Sequence, residues 1–209
     1  MASELNDVKT EARDRYHHGD LRESLIVSAE QILREKGVGG FSLREAARRT
    51  GVSPAAPAHH FGDSRGLLTA VAARGFRRLT EKLDSALEGV PIGQRLKALG
   101  SAYLEFACEN PALFSMMWMR DLVDPDDEEY LSAGRAAFNV FERAATGTDV
   151  VPATAPRTPG AALVAAWATM HGLARLKLDG ALANVPRQIE DEVLDLMPDP
   201  RNAGRRGKA

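Results

Sequence analysis

The stretch FSLREAARRTGVSPAAPAHHFGD, residues 41–63, restricts the fold of this chain more than any other. Helix starts and stops follow one another there too closely for long helices. Ser42 and Glu45 form an S-x-x-E capping box, with Phe41 where a hydrophobic staple would pack. Gly51 ends that helix after about two turns. Ser53 then offers a second cap, with Pro54 at the first helical position, where its missing N–H does no harm. Gly62 breaks this segment after His60 and Phe61, and Asp63 can cap the next helix. Two short helices joined by a tight glycine turn are predicted, which is the helix-turn-helix arrangement.

The flanking sequence extends this into an all-α chain. Upstream, Asp20 and Glu23 can cap a helix along which Leu21, Leu25, Ala29, Ile32 and Leu33 recur at helical spacing, until Gly37, Gly39 and Gly40. Downstream a long helix is predicted, with Leu68, Val71, Phe76, Leu79, Leu83 and Leu87 along one side. Beyond Gly89 and Pro91, Leu96, Leu99, Tyr103 and Phe106 continue the pattern as far as Asn110-Pro111. A short methionine-rich segment spans Ala112 to Arg120, and the acidic loop DLVDPDDEE follows. A helix is expected from about Glu128 to Thr146 and a loop over GTDVVPATAPRTPG. An apolar helix then carries Leu163, Trp167, Met170, His171, Ala174 and Leu178, and a last amphipathic helix runs from Pro186 to Met197. The expected organisation is a flexible arm over 1–19, a three-helix unit with helix-turn-helix over 20–66, a helical bundle over 67–200, and a basic tail over 201–209.

Composition removes several function classes. The proportions of 44% apolar and 27% charged residues are those of a soluble globular chain. A net charge of −2 advertises no nucleic acid or membrane at the level of the whole molecule. The single cysteine, Cys108, excludes an internal disulfide and a thiolate-rich metal site. It reads as a small buried residue, because the neighbouring Glu109 is acidic where a redox sensor would show a base. The polar amino terminus lacks the apolar core of a signal peptide, and no apolar run approaches the roughly 20 residues of a membrane span. A cytoplasmic location is expected.

His59 and His60 admit three readings: metal ligands, a catalytic base, or contacts to nucleic acid. Adjacent helical residues point about 100° apart, which suits one metal ion poorly. No further ligand stands three or four residues away, as it does in H-E-x-x-H. Ser53 and Ser64 read as cap and surface residues rather than as nucleophiles. No metal, cofactor or catalytic residue is therefore assigned. The remaining reading places both histidines on the second helix of a helix-turn-helix, against DNA.

The residues FSLREAARRTGVSPAAPAHHFGDSRGLLTAV resemble the DNA-binding region of TetR-family transcriptional regulators. The likeness rests on Ser42-Leu43-Arg44, Ala47, Gly51-Val52-Ser53, His60-Phe61 and Leu67-Leu68. A second likeness lies at Trp167-Ala-Thr-Met-His171-Gly172, which is similar to the Trp-x-x-x-His-Gly signature of one class of TetR regulatory domains. This chain departs from the family pattern at four places. Ala55 stands for the usual Gly, Ala58 for an aromatic that normally reaches a phosphate, and Ser64 for a phosphate-gripping Lys, though Arg65 follows. Pro57 is also unusual; in a helix capped by Ser53 it would remove the first internal bond.

In such a unit the second helix offers its first residues to the major groove. Here these are Pro54, Ala55 and Ala56, which can touch thymine methyl groups but donate no side-chain hydrogen bond. Polar readout falls to Arg44, the candidate for a bidentate guanine contact, and to His59. Ser42, Ser53, His60, Ser64 and Arg65 are placed for phosphates, which position without reading sequence. Arg48 and Arg49 read equally as phosphate contacts or as solvated helix residues. Tyr16, His17 and His18 read as a groove-following arm or as packing on the first helix. From Phe41 to Gly66 four arginines face two acids, a modest patch that a dimer would double.

The remainder of the chain supplies large apolar side chains, among them Met116 and, as candidates for an effector pocket, Phe106, Met117, Trp118, Phe138, Phe141, Trp167 and His171. Ordinary core packing explains most of these equally well. Trp167 and His171, four apart, share a helix face. The resemblance implies that the last two helices pair with their copies into a four-helix dimer interface. The function that follows is a ligand-responsive regulator, a repressor that binds a palindromic operator in double-stranded DNA as a homodimer and is released by a small, mostly apolar effector. The rival is an all-helical small-molecule-binding protein or enzyme that never meets DNA. The acidic cluster Asp124, Asp126, Asp127 and Glu128 lacks the alternating ligands and central Gly of an EF-hand and reads as a solvated loop.

Overall fold

A computed structural model describes residues 21–147 and 159–197. The expected cap Asp20, the arm, most of the long loop and the basic tail lie outside these residues. Everything described is helix, turn or irregular chain, with no strand among the described residues. Helix α1 covers residues 21–36. It is followed by α2 (Leu43–Arg49), α3 (Ala56–Phe61), α4 (Ser64–Ala86), α5 (Arg95–Glu109), α6 (Pro111–Met117), α7 (Glu128–Thr146), α8 (Ala161–Leu178) and α9 (Arg187–Asp195).

The α2–α3 pair folds as its stop signals demand. Ser42 caps α2 by accepting the Glu45 N–H at 3.1 Å. Glu45 does not complete the capping box, because its carboxylate is held by Arg48 and Arg49 instead. At the other end Gly51 adopts φ 71°, a conformation a side chain would strain. Its N–H reaches the Arg48 carbonyl while the Val52 N–H reaches that of Ala47, a Schellman closure.

Helix α3 differs from expectation. Ser53 is not its cap, and Pro54 is not its first residue. Residues 53–55 form a turn in which the Ala56 N–H donates to the Ser53 carbonyl at 3.0 Å, and the helix begins only at Ala56. The reason is Pro57, whose absent N–H costs nothing only in a first turn. The helix start has moved to the proline, so Pro57 opens α3 and loses no internal bond. It is also the one buried side chain of α3.

Helix α4 organises everything else. Asp63 caps it by accepting the Gly66 N–H at 2.9 Å. Gly66 has to be glycine, since a Cβ there would collide with the Phe61 carbonyl. Residues 67–73 are buried on every side, because α1 and α3 pack on one flank and α5, α6 and α7 on the others. Leu67, Val71, Phe76, Leu79 and Leu83 thus join one continuous core that takes in Leu25, Ile26, Ile32 and Leu33 of α1 and Phe114, Met116 and Met117 of α6. Each such side chain contributes about 1.5–3 kcal/mol on burial. Ion pairs at the surface join the same elements: Glu129 of α7 holds Arg22 at 2.8 Å and Arg77 at 2.9 Å, and Arg74 pairs with Glu23 and Glu30. No helix among the described residues is long and apolar enough to cross a membrane.

Candidate DNA-binding surface and aromatic effector cluster

At one end of α4 the helix-turn-helix leaves a concave face. A cleft of about 350 Å³ is lined by Ser42, Arg44, Glu45, Arg48, Val52 and Pro54, so the structure gathers Ser42, Arg44 and Pro54 as the sequence suggests. Ser53, Pro54, Ala55 and His59 are exposed beside it, with Ala56 and His60 half-buried. His60 lies 6.1 Å from Phe61, and Arg22 of α1 sits 5.4 Å over the Phe61 ring, which ties α3 back to α1.

The arginines are not equivalent. Arg48 makes a two-pronged pair with Glu45 at 2.8 and 3.0 Å, and Arg49 bonds both Glu45 and Glu35. These guanidinium groups hold the Glu45 carboxyl down at about 2, so Glu45 stays ionised and offsets their charge. Arg44 is exposed and has no partner among the described residues. Arg65 is exposed too, yet its Nε–H donates to the Val123 carbonyl at 2.9 Å, which turns part of it toward the loop after α6. Ser64 is exposed at the start of α4.

Around Phe76, near the middle of α4, rings from five helices meet. Trp118, at the C-terminal cap of α6, lies 5.1 Å edge-on from Phe76 of α4, 4.9 Å from His171 and 5.9 Å from Trp167 of α8. Phe138 of α7 joins through Trp167 at 5.9 Å and contacts Phe141 at 6.1 Å. Phe114 and Tyr103 complete the network against His171. The Tyr103 hydroxyl meets His171 Nδ1 at 2.8 Å. Burial pushes the Tyr103 hydroxyl's pKa up, and burial followed by the charge of Arg175 pushes that of His171 down, so both stay neutral near pH 7. Trp118 Nε1 is buried with no acceptor among the described residues.

Of the residues named from sequence, Trp118, Phe138, Phe141, Trp167 and His171 come together in this network. Met117 is fully buried next to it and packs on Gly75, whereas Phe106 is buried on α5 and makes none of these ring contacts. Phe76, Tyr103, Phe114 and Tyr130, whose ring lies 5.6 Å from Phe76, are members that the sequence does not single out. Phe76 and Tyr103 show in sequence only as parts of apolar stripes, and no spacing rule says which stripes converge. Cys108 corrects an expectation outright: it is exposed, because it falls on the outer side of α5 next to Glu109.

Comparison with known proteins places this geometry. Residues 96–199 match the tetracyclin repressor-like C-terminal domain. The chain belongs to the TetR family of transcriptional regulators. A protein of unknown function from Rhodococcus sp. RHA1 is 37% identical, with 88% of this chain and 94% of that one covered and a TM-score of 0.69. A TetR-family transcription regulator from Marinobacter aquaeolei VT8 shares the fold at 16% identity, with 90% and 97% covered and a TM-score of 0.59. The uncharacterised HTH-type transcriptional regulator YobS of Bacillus subtilis strain 168 is 24% identical over 96 residues, 46% of this chain. The chain spans about half the length of that curated relative. As a TetR-family member the protein is a DNA-binding transcription regulator and not an enzyme.

Proposed function

We propose that this TetR-family regulator is a cytoplasmic repressor that binds a palindromic operator as a homodimer and leaves it when a small, mostly apolar effector enters the aromatic cluster. The observation that carries the reading is the open helix-turn-helix face, where the unpartnered Arg44 stands beside the exposed small apolar tip Pro54-Ala55. Arg44 and His59 read base edges, Pro54, Ala55 and Ala56 meet thymine methyls, and Ser42, Ser53, His60, Ser64 and the free N–H groups of Arg65 hold phosphates.

A second copy is favoured by the far side of the molecule. Helices α8 and α9 enclose a groove of about 320 Å³ lined by Leu173, Leu176, Leu182, Val185, Ile189 and Val193 among others. Leu176 is 48% exposed and Ile189 40%, an apolar surface of the kind that marks an interface. Two-fold pairing there would set two copies of α3 on one face, as a palindrome requires.

Effector release has a physical route. The chain leaving Trp118 is pinned to the first turns of α4 twice, by Arg65 on the Val123 carbonyl and by the Asp124 N–H on Thr69 Oγ1 at 2.8 Å. A displaced Trp118 would pull on the element that carries the helix-turn-helix. The test is fluorescence anisotropy of the purified protein against DNA fragments flanking its own gene, over a range of salt. Specific, salt-sensitive binding by a dimer supports the reading. Indifferent binding to every fragment would sink it.

A further inference from the structure

Trp118 carries an N–H that the described protein leaves unused. Its Nε1 is buried and meets no acceptor among the described residues, a costly condition for a polar group in an apolar setting. The rings around it supply donors and hardly any acceptor. The Tyr103 oxygen is engaged by Trp167, and its hydroxyl faces His171 Nδ1 at 2.8 Å. The Tyr103 hydroxyl and His171 Nδ1 thus satisfy each other, and neither serves the indole of Trp118, whose ring lies 4.9 Å from His171. No carboxylate belongs to the ring network. The charge that acts on His171 is positive: Arg175, one turn beyond it, which donates to Ser115 Oγ at 2.9 Å and to Asp179 at 3.0 Å.

We infer that the effector pocket, taken as the aromatic cluster proposed above, selects an apolar or aromatic molecule bearing an oxygen acceptor, a carbonyl or a carboxylate, which accepts the Trp118 Nε1–H. The same donors argue against a cation. Aromatic cages that hold ammonium groups work through ring faces turned inward, but here Trp118 meets Phe76 and His171 edge to face and Arg175 stands close. An acceptor-free hydrocarbon would leave the indole N–H as poorly served as before. Carbonyl and carboxylate share the recognised chemistry; Arg175, half-neutralised by Asp179, decides between them.

Four probes of similar ring size separate these cases: acetophenone, benzoate, isopropylbenzene and benzyltrimethylammonium. The chain's two tryptophans both sit in the cluster, so intrinsic fluorescence reads the site directly, with thermal shift of the full chain as a second readout. Acetophenone or benzoate should bind about tenfold tighter than isopropylbenzene, the worth of one hydrogen bond to an otherwise orphaned donor. Trp118→Phe, which keeps a ring and drops the N–H, should erase that preference, the ratio of acetophenone to isopropylbenzene affinity falling from about ten to about one whatever the smaller ring does to both. Trp167→Phe gives a reference for ring loss and emission change. Equal binding of the hydrocarbon, tightest binding of the ammonium probe, or a preference that survives Trp118→Phe overturns the inference and leaves the pocket reading standing. If no probe shifts either signal, the pocket reading itself falls and takes the inference with it.

Discussion

Arg44, Arg48 and Arg49 lie within one helical turn and a half, yet only Arg44 keeps its charge free for DNA. Glu45 engages the other two, and Glu35 engages Arg49 again. Arg44→Ala should therefore weaken specific operator binding by about 1–3 kcal/mol. Its melting temperature should stay unchanged, since the side chain is exposed and unpartnered among the described residues. Anisotropy against the operator and a scrambled duplex measures the first, and calorimetry the second. Unaltered specificity would remove Arg44 from base readout. Glu45→Gln is the complementary change. It releases Arg48 without deleting a positive charge, while Glu35 still holds Arg49, so non-specific binding should tighten and the salt slope steepen by about one phosphate contact per protomer. A slope equal to that of the unaltered protein would mean that Arg48 points away from the duplex.

At the level of elements, α5 and α8 are joined through the Tyr103–His171 contact. His171 is held below its ordinary value of 6.5 by burial and by Arg175. The unfolded chain therefore takes up a proton near 6.5 that the folded chain refuses. This contribution to stability is complete above pH 6.5 and declines as the pH falls below it. Thermal unfolding followed from about pH 8 to pH 5 should show that decline, and His171→Gln should flatten it. A slope untouched by the substitution would assign it to other groups. Sequence made the elements themselves readable because local chemistry decides them: Ser42, Gly51 and Asp63 all stand where their side chains or missing side chains dictate. It misplaced the start of α3, where two prolines compete and the later one wins by burial. It could not show that Arg48 and Arg49 would be neutralised, since Glu35 reaches Arg49 from another helix. Nor could it bring Phe114 to His171, because convergence of α6 and α8 depends on how each of them packs on α5.

For the molecule as a whole, both proposed sites pack on α4, the helix-turn-helix at its start and the aromatic cluster at Phe76 near its middle, and only a dimer makes their coupling useful. One copy offers a modest basic face and a six-residue recognition helix, too little for tight and selective binding by itself. The apolar groove between α8 and α9 is where the second copy would add its half. Leu176 is the place to test this, being 48% exposed on α8 and part of the groove wall. In a monomer Leu176→Glu only swaps one solvated side chain for another, so the fold and the melting temperature of isolated protomers should hold. In a dimer it would press a carboxylate into an apolar seam beside Glu190, which Lys177 already occupies at 2.7 Å. Dimer affinity should fall by about 2–4 kcal/mol, the loss typical of a central interface residue. Sedimentation should then report a folded monomer, and operator binding should drop with it even though every DNA-facing residue is intact. A variant that remains a dimer, or one that becomes a monomer and still binds the operator at full strength, would break the link between the groove and DNA recognition.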